Sequence, residues 1–376
     1  MAQSLSKSGA GVGIGSRPIR IGVVGLGRFG LLHARTLTAL DEFELVAVVA
    51  RRAESLAAAR EILPTTPGYL DLDQAVAETR PEAWVVACST SQHLEVTRRL
   101  LQSGARVLLE KPIAETLAEA RHLADLIEPN SNRLMLGHIV LFNSEFAELL
   151  QLSRNRGRLA YLQAVRHRPA TIVTQFPGEN PLVAAMVHDL YCVQALISQD
   201  PGVQQGLVSA GEATTLAEPL SLSAAYHRTT SGEIDLASAR LTFPGGLVVD
   251  LTASYLTPPG MAPRGFDRLE VFGEGWSARC EPNPRPLQVW GEKAEWPLAL
   301  EIRAGGPLPR ENPPTGMLAE ELRCFSRVVR DRQPVPRGAT YHDGLQVQDW
   351  IERLHNAASV VPANSPSFSD ASRVPS

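Results

Sequence analysis

Hydrophobic positions fall into two textures along this chain. From Pro18 to about His138, short apolar runs alternate with helical segments. The strand-like runs are IRIGVV, FELVAVVA, AWVVACS, ARVLLE and NRLMLGHIV. Between them lie LLHARTLTAL, AESLAAAREIL, LEVTRRLLQSG and TLAEARHLADLI, which read as helices. Strands alternating with helices build right-handed crossover units and a parallel sheet. The strands are almost continuously apolar, as a sheet covered by helices on both faces requires.

After about His138 the period changes. NSEFAELLQLSR is helical, and longer runs of period two follow. In GLVVDLTASYL, Leu247, Val249, Leu251, Ala253 and Tyr255 share one side. Val248, Asp250, Thr252 and Ser254 share the other. In RLAYLQAVRH, Leu159, Tyr161 and Val165 oppose Arg158 and Arg166, and Leu162 falls on the polar side. Such alternation predicts a large, mostly antiparallel open sheet with one face in the core. FPGG, Phe243 to Gly246, is the expected hairpin turn. The stretch Pro307 to Pro314 is the expected connector. MLAEELRCFSRVVRD and YHDGLQVQDWIERLHNAAS are expected as closing helices.

Composition narrows the class. The chain has 376 residues, too many for one ordinary core, so two domains are expected. There are 36 Lys plus Arg against 40 Asp plus Glu, a net charge of -4. So weak a field speaks against a nucleic-acid partner and against a polybasic membrane clamp. Cys88, Cys192, Cys280 and Cys324 are scattered, with no C-x-x-C pair, and the histidines lack metal-ligand spacing. No disulfide scaffold or structural metal is expected, and a reducing, cytoplasmic setting is. No apolar run is long enough to span a bilayer, and the first residues lack the apolar stretch of a secretory signal.

The most informative local pattern is Gly25-Leu26-Gly27-Arg28-Phe29-Gly30, a G-x-G-x-x-G that follows a strand and opens a helix. Gly25 permits the tight turn, Gly27 the approach of a pyrophosphate, and Gly30 close packing of helix on strand. The helix N-terminus offers free N–H groups to phosphate. The expected fold is therefore α/β. An N-terminal Rossmann domain, a doubly wound parallel sheet, occupies 18–138. An α/β domain with the open sheet occupies 139–361, for substrate binding and oligomerisation. Tails are expected at 1–17 and 362–376. An acid that takes the adenosine ribose hydroxyls usually stands about 20 residues beyond the loop. Here that position is Ala50, followed by Arg51 and Arg52. Arginine clamps a 2′-phosphate that an acid would repel, so NADP(H) is expected over NAD(H).

Further motifs follow in order: Ala87-Cys88-Ser89 with His93, then Glu110-Lys111-Pro112 at the end of a strand, then His188-Asp189. Together with the glycine loop and FGEGW, Phe272 to Trp276, they resemble the Gfo/Idh/MocA family of glucose–fructose oxidoreductases and inositol dehydrogenases. The resemblance implies hydride transfer between nicotinamide and a sugar or cyclitol carbinol. It implies Lys111 on the substrate oxygen and His188 as general acid/base. It places the cofactor against the glycine loop, Arg51, Arg52, Cys88, Ser89, His93, Glu110 and Lys111. It also implies a homo-oligomer, a homodimer or homotetramer, joined through the open sheet. The chain departs from the family where an Asp commonly precedes the histidine by four residues, here Ala184, and where another follows it by three, here Tyr191. GHIVLFNSEF resembles sugar-nucleotide dehydrogenases of the family, whereas Ala50-Arg51-Arg52, Cys88-Ser89, Phe176 and the Pro181 to Ala184 stretch look like biliverdin reductases. A bilin reductase, and a catalytically degenerate nucleotide-binding sensor, are the alternative readings.

Overall fold

A computed structural model describes residues 17–128, 131–209, 217–261, 265–283, 289–290, 294–295 and 315–360. The expected connector at Pro307 to Pro314, the tail 362–376 and all but the last residue of the tail 1–17 lie outside the described residues.

The first sheet contains β1 (Ile19–Val24), β2 (Phe43–Val49), β3 (Gly68–Tyr69), β4 (Ala83–Val86), β5 (Arg106–Glu110) and β6 (Leu134–Gly137). Its order is β3-β2-β1-β4-β5-β6, with every pairing parallel. The strand order reverses between β1 and β4, which opens a crevice at their C-terminal ends. The glycine loop leaves β1 there, and Ala87-Cys88-Ser89 leaves β4 beside it. The expected strands are all present. Two-residue β3 carries too little pattern to read from sequence. The same is true of helix Leu72–Thr79, whose N-cap Asp71 accepts from the Gln74 N–H. The TLAEARHLADLI stretch is less regular than expected. A capping box, Thr116 with Glu119, starts one α-turn at Leu117–Ala120, which tightens into a 3-10 helix over Arg121–Leu126.

The second sheet contains β7 (Leu159–Pro169), β8 (Ser221–Arg228), β9 (Ile234–Thr242), β10 (Val248–Thr257), β11 (Phe266–Gly273) and β12 (Trp276–Asn283). A two-stranded ribbon, β13 (Val289–Trp290) and β14 (Ala294–Glu295), stands apart. Strand β15 (Ala358–Val360) completes the second sheet, in the order β12-β11-β7-β10-β9-β8-β15. Pairs β7–β10 and β8–β15 are parallel and the rest antiparallel. The sheet is thus mixed and mostly antiparallel. The turn at Phe243 to Gly246 joins β9 to β10, with Gly245 and Gly246 at φ 82° and 87°. Leu247, Val249, Leu251, Ala253 and Tyr255 are all buried, as their alternation predicts. Helices Val187–Ile197 and Tyr341–Ala357 pack on each other, the latter also on β8, while Met317–Val329 reaches back to Arg28–Ala39.

Strand β7 corrects the sequence reading. Leu162, Ala164 and Arg166 are buried, while Tyr161 and Val165 are half-buried on the outer face. Opposite, β11 pairs Phe272 with Tyr161 but Gly273 with Leu159, so Ala160 is an extra, bulged residue. A bulge inverts the phase of everything beyond it. Leu159 and Leu162 therefore both point inward, and Arg166 goes to the core rather than to solvent. Leu162→Ala should then cost about 2–5 kcal/mol of unfolding free energy. Val165→Ala should cost about 1 kcal/mol or less. Urea unfolding of both variants checks this, and a larger loss at Val165 would refute the observed phase.

Candidate active site

The loop after β1 has the geometry its glycines predict. Gly25 sits at φ 97°, and a Cβ there would come within 2.5 Å of Ala87 O and Cys88 N. A Cβ on Gly30 would collide with Gly25 O. Gly27, the N-cap of helix Arg28–Ala39, faces open space with nothing within 4 Å of such a Cβ. That is the cradle a pyrophosphate needs, at the positive end of a helix. Gly25, Leu26, Gly27, Arg51, Arg52, Cys88 and Ser89 line one cavity of about 420 Å³ with Asp71, Gln92 and Arg99. Asp71 is occupied as a helix N-cap, and Arg99 pairs with Asp73. Arg51 and Arg52 are exposed at its rim and pair with no carboxylate among the described residues.

A second cavity, of about 940 Å³, adjoins the first at Ala87 and Cys88. Arg28, Phe29, His93, Glu110, Lys111 and His188 line it, so the two residues expected to act on substrate meet in one space. Burial pushes the Cys88 thiol up to about 11, which leaves it neutral. His93 is buried, with Nδ1 2.7 Å from Pro112 O and Nε2 3.2 Å from Cys88 O. The ring lies between the turn after β5 and the turn after β4, and its neutral form, which burial favours, donates its one N–H to one of these two carbonyls. Glu110 Oε1 lies 2.7 Å from His33 Nε2.

Lys111 sits at the C-terminal end of β5 and has no hydrogen-bond or ion-pair partner among the described residues. Burial lowers its pKa, against the attraction of Glu110 and Glu179. His188 lies in the first turn of helix Val187–Ile197, and its Nδ1 is buried with no partner among the described residues. Burial holds its pKa well below the usual histidine range, and Lys111 and Arg166 push it the same way. The imidazole is therefore neutral.

Among the described residues no carboxylate bonds to Nδ1 of that ring. Asp189 is bound by Arg166, which donates from Nη2 to Oδ1 at 2.7 Å and from Nε to Oδ2 at 3.1 Å. Arg166 Nη1 donates to Asp267 Oδ2 at 2.6 Å, and Arg168 Nη1 to Asp267 Oδ1 at 2.5 Å. Glu179 accepts from Tyr255 Oη at 3.2 Å. Ala184 lies in a π-helical turn, Leu182–Met186, rather than one α-turn before His188. Tyr191 stacks on His138, whose two ring nitrogens are buried without partners among the described residues.

Sequence reasoning missed Arg166, Arg168 and Asp267, all of which line the second cavity. The signal was present in part, since Arg166 is in phase with Leu162 and Ala164, but the bulge at Ala160 hid which face that was. Asp267 and Arg168 meet only through the β7–β11 pairing, which local pattern does not reveal.

Known proteins carry the same plan. Residues 19–138 match the family model described as oxidoreductase family, NAD-binding Rossmann fold. A myo-inositol dehydrogenase of Streptomyces leeuwenhoekii is 28% identical over 352 residues, 90% of this chain and 98% of that protein. A UDP-N-acetylglucosamine 3-dehydrogenase of Acidithiobacillus ferrooxidans is 27% identical over 236 residues, 63% of this chain and 67% of that one. Among solved structures, myo-inositol 2-dehydrogenase from Lactobacillus plantarum superposes with a TM-score of 0.71 at 18% identity, covering 90% of this chain and 97% of that one. The two sheets are therefore arranged as in that solved structure. Residues 19–138 thus match the Gfo/Idh/MocA oxidoreductase family, and over most of its length the chain is similar to inositol dehydrogenases.

Proposed function

We propose that the protein moves a hydride between NADP(H), preferred over NAD(H), and a carbinol or ketone carbon of a sugar, cyclitol or sugar nucleotide. One observation carries this reading: Lys111 and His188 meet in a cavity that adjoins the glycine-loop cavity through Cys88. The substrate classes are those named for the relatives above.

Gly27 and the N–H groups at the start of helix Arg28–Ala39 would hold the pyrophosphate, and Arg51 and Arg52 would hold the 2′-phosphate. The bound nicotinamide supplies the hydride acceptor or donor. Lys111 Nζ, free of partners among the described residues, donates to the substrate oxygen and stabilises the negative charge that develops there. The neutral imidazole of His188 takes the carbinol proton during oxidation and returns it during reduction. Since that ring is neutral across the ordinary range, oxidation fades only as pH falls low enough to protonate it.

Three outcomes follow for solution experiments. Calorimetric titration should show NADPH binding roughly 10- to 100-fold more tightly than NADH, the worth of about 1.5–3 kcal/mol for a charge-assisted hydrogen bond. Equal affinities would remove Arg51 and Arg52 from the phosphate site. Lys111→Met and His188→Ala should each leave NADPH affinity within a few-fold and slow turnover by roughly 100- to 10,000-fold. Wild-type turnover in His188→Ala would end the dehydrogenase assignment for this residue. Light scattering should report a dimer or tetramer, because the outer face of the second sheet carries Tyr161, Val165, Val248 and Phe272, the last 43% exposed. A monomer mass at micromolar concentration would refute that.

A further inference from the structure

Next to Lys111, where Glu110 reaches the wall of the substrate cavity, three buried polar side chains meet from three elements. His33 comes from the glycine-loop helix Arg28–Ala39, Glu110 from the end of β5, and Glu321 from helix Met317–Val329. One ligating atom from each lies within 4.8 Å of the others. His33 and Glu110 already share a contact of 2.7 Å. Glu321 is 0% exposed, and neither of its carboxyl oxygens has a hydrogen-bond partner among the described residues. The groups facing it are His33 and Glu110, with Cys324 on its own helix.

An ionised Glu321 here would be a buried anion beside a second carboxyl group, with no N–H or cation of its own. The interior does not tolerate such a charge; the group binds a proton instead. A protonated Glu321 has one O–H to give, and Glu110 and His33 are the acceptors within the cluster. Gly137 closes the other side, where a Cβ would stand 3.1 Å from the Glu110 carboxyl carbon. Glu110 is thus bonded by His33, closed in by Gly137 of β6 and approached by Glu321 from helix Met317–Val329, one residue before the lysine.

We propose that Glu321 is a positioning residue, a neutral carboxylic acid that completes a His33–Glu110–Glu321 triad and holds Glu110, and through it Lys111, in place. The proposal rests on the reading of Lys111 as the group that meets substrate. Burial also moves the Glu321 pKa well above its ordinary value, in the direction this requires.

The test uses the full-length protein with Glu321→Gln and Glu321→Leu. Difference infrared spectroscopy at neutral pH should show the carbonyl stretch of a protonated carboxylic acid in the wild type, lost in Glu321→Gln. Stability gives an independent sign. The unfolded chain releases this proton above about pH 4.3, whereas the folded protein keeps it. Raising the pH therefore favours unfolding of the wild type. Relative to Glu321→Gln, its unfolding constant should grow roughly tenfold per pH unit between about pH 5 and 7. With the best substrate, Glu321→Gln should keep kcat within about threefold of wild type. Glu321→Leu should lower kcat by roughly tenfold or more at little change in KM or NADPH affinity. No acid carbonyl band, parallel pH slopes, or one equivalent of divalent metal released on denaturation would each overturn the proposal. The infrared and stability readouts do not depend on turnover, so an inert Lys111→Met comparison would remove the function assigned to Lys111 without touching the protonation of Glu321.

Discussion

The arrangement of the substrate side depends on one buried cation. Arg166 is 3% exposed and is clasped by Asp189 from a helix and by Asp267 from β11. A guanidinium in that position is tolerable only when its charge and donors are matched, and the two carboxylates are tolerable only with the guanidinium. The trio therefore stands or falls together. It fixes the helix of His188 against the sheet, and it consumes the carboxylate next to the histidine in sequence. The imidazole is left among cations, neutral and with no orienting acid among the described residues. In this chain the architecture and the electrostatics of the site have one cause.

The nucleotide side depends on close backbone approach instead. Gly30 under Gly25 and Gly25 against Ala87 leave no room for a side chain, so the two turns at the strand-order reversal are locked to each other. His93 extends that lock to the turn after β5. Three loops from three strands thus form one wall, with Lys111 at its end. The consequence is that Lys111 inherits its position from the same contacts that shape the glycine loop.

Most of the first sheet was legible in the sequence because each strand is a dense apolar run and each helix a clean period. The glycine loop was legible because its residues answer local steric demands. The phase of β7 was not, because one inserted residue at Ala160 inverts everything after it. The partners of Arg166 were not, because they come from 23 and 101 positions away. His188 was identified by likeness to a motif, yet the spacing rule used to seek its acid fails where a π-turn adds a residue to the helix. Local rules read local geometry well, and pairings between distant strands remain beyond them.

Strand β15 pairs only three residues with β8, yet it covers the outermost strand on that side of the second sheet. Without it, eight-residue β8 would present a row of unpaired amides and carbonyls beside Tyr226 and Leu222. An uncovered row of that kind is a template for strand addition by another polypeptide. The short run after the last helix therefore acts as an edge guard, and the segment Ala358–Val360 bears on colloidal behaviour as much as on the fold.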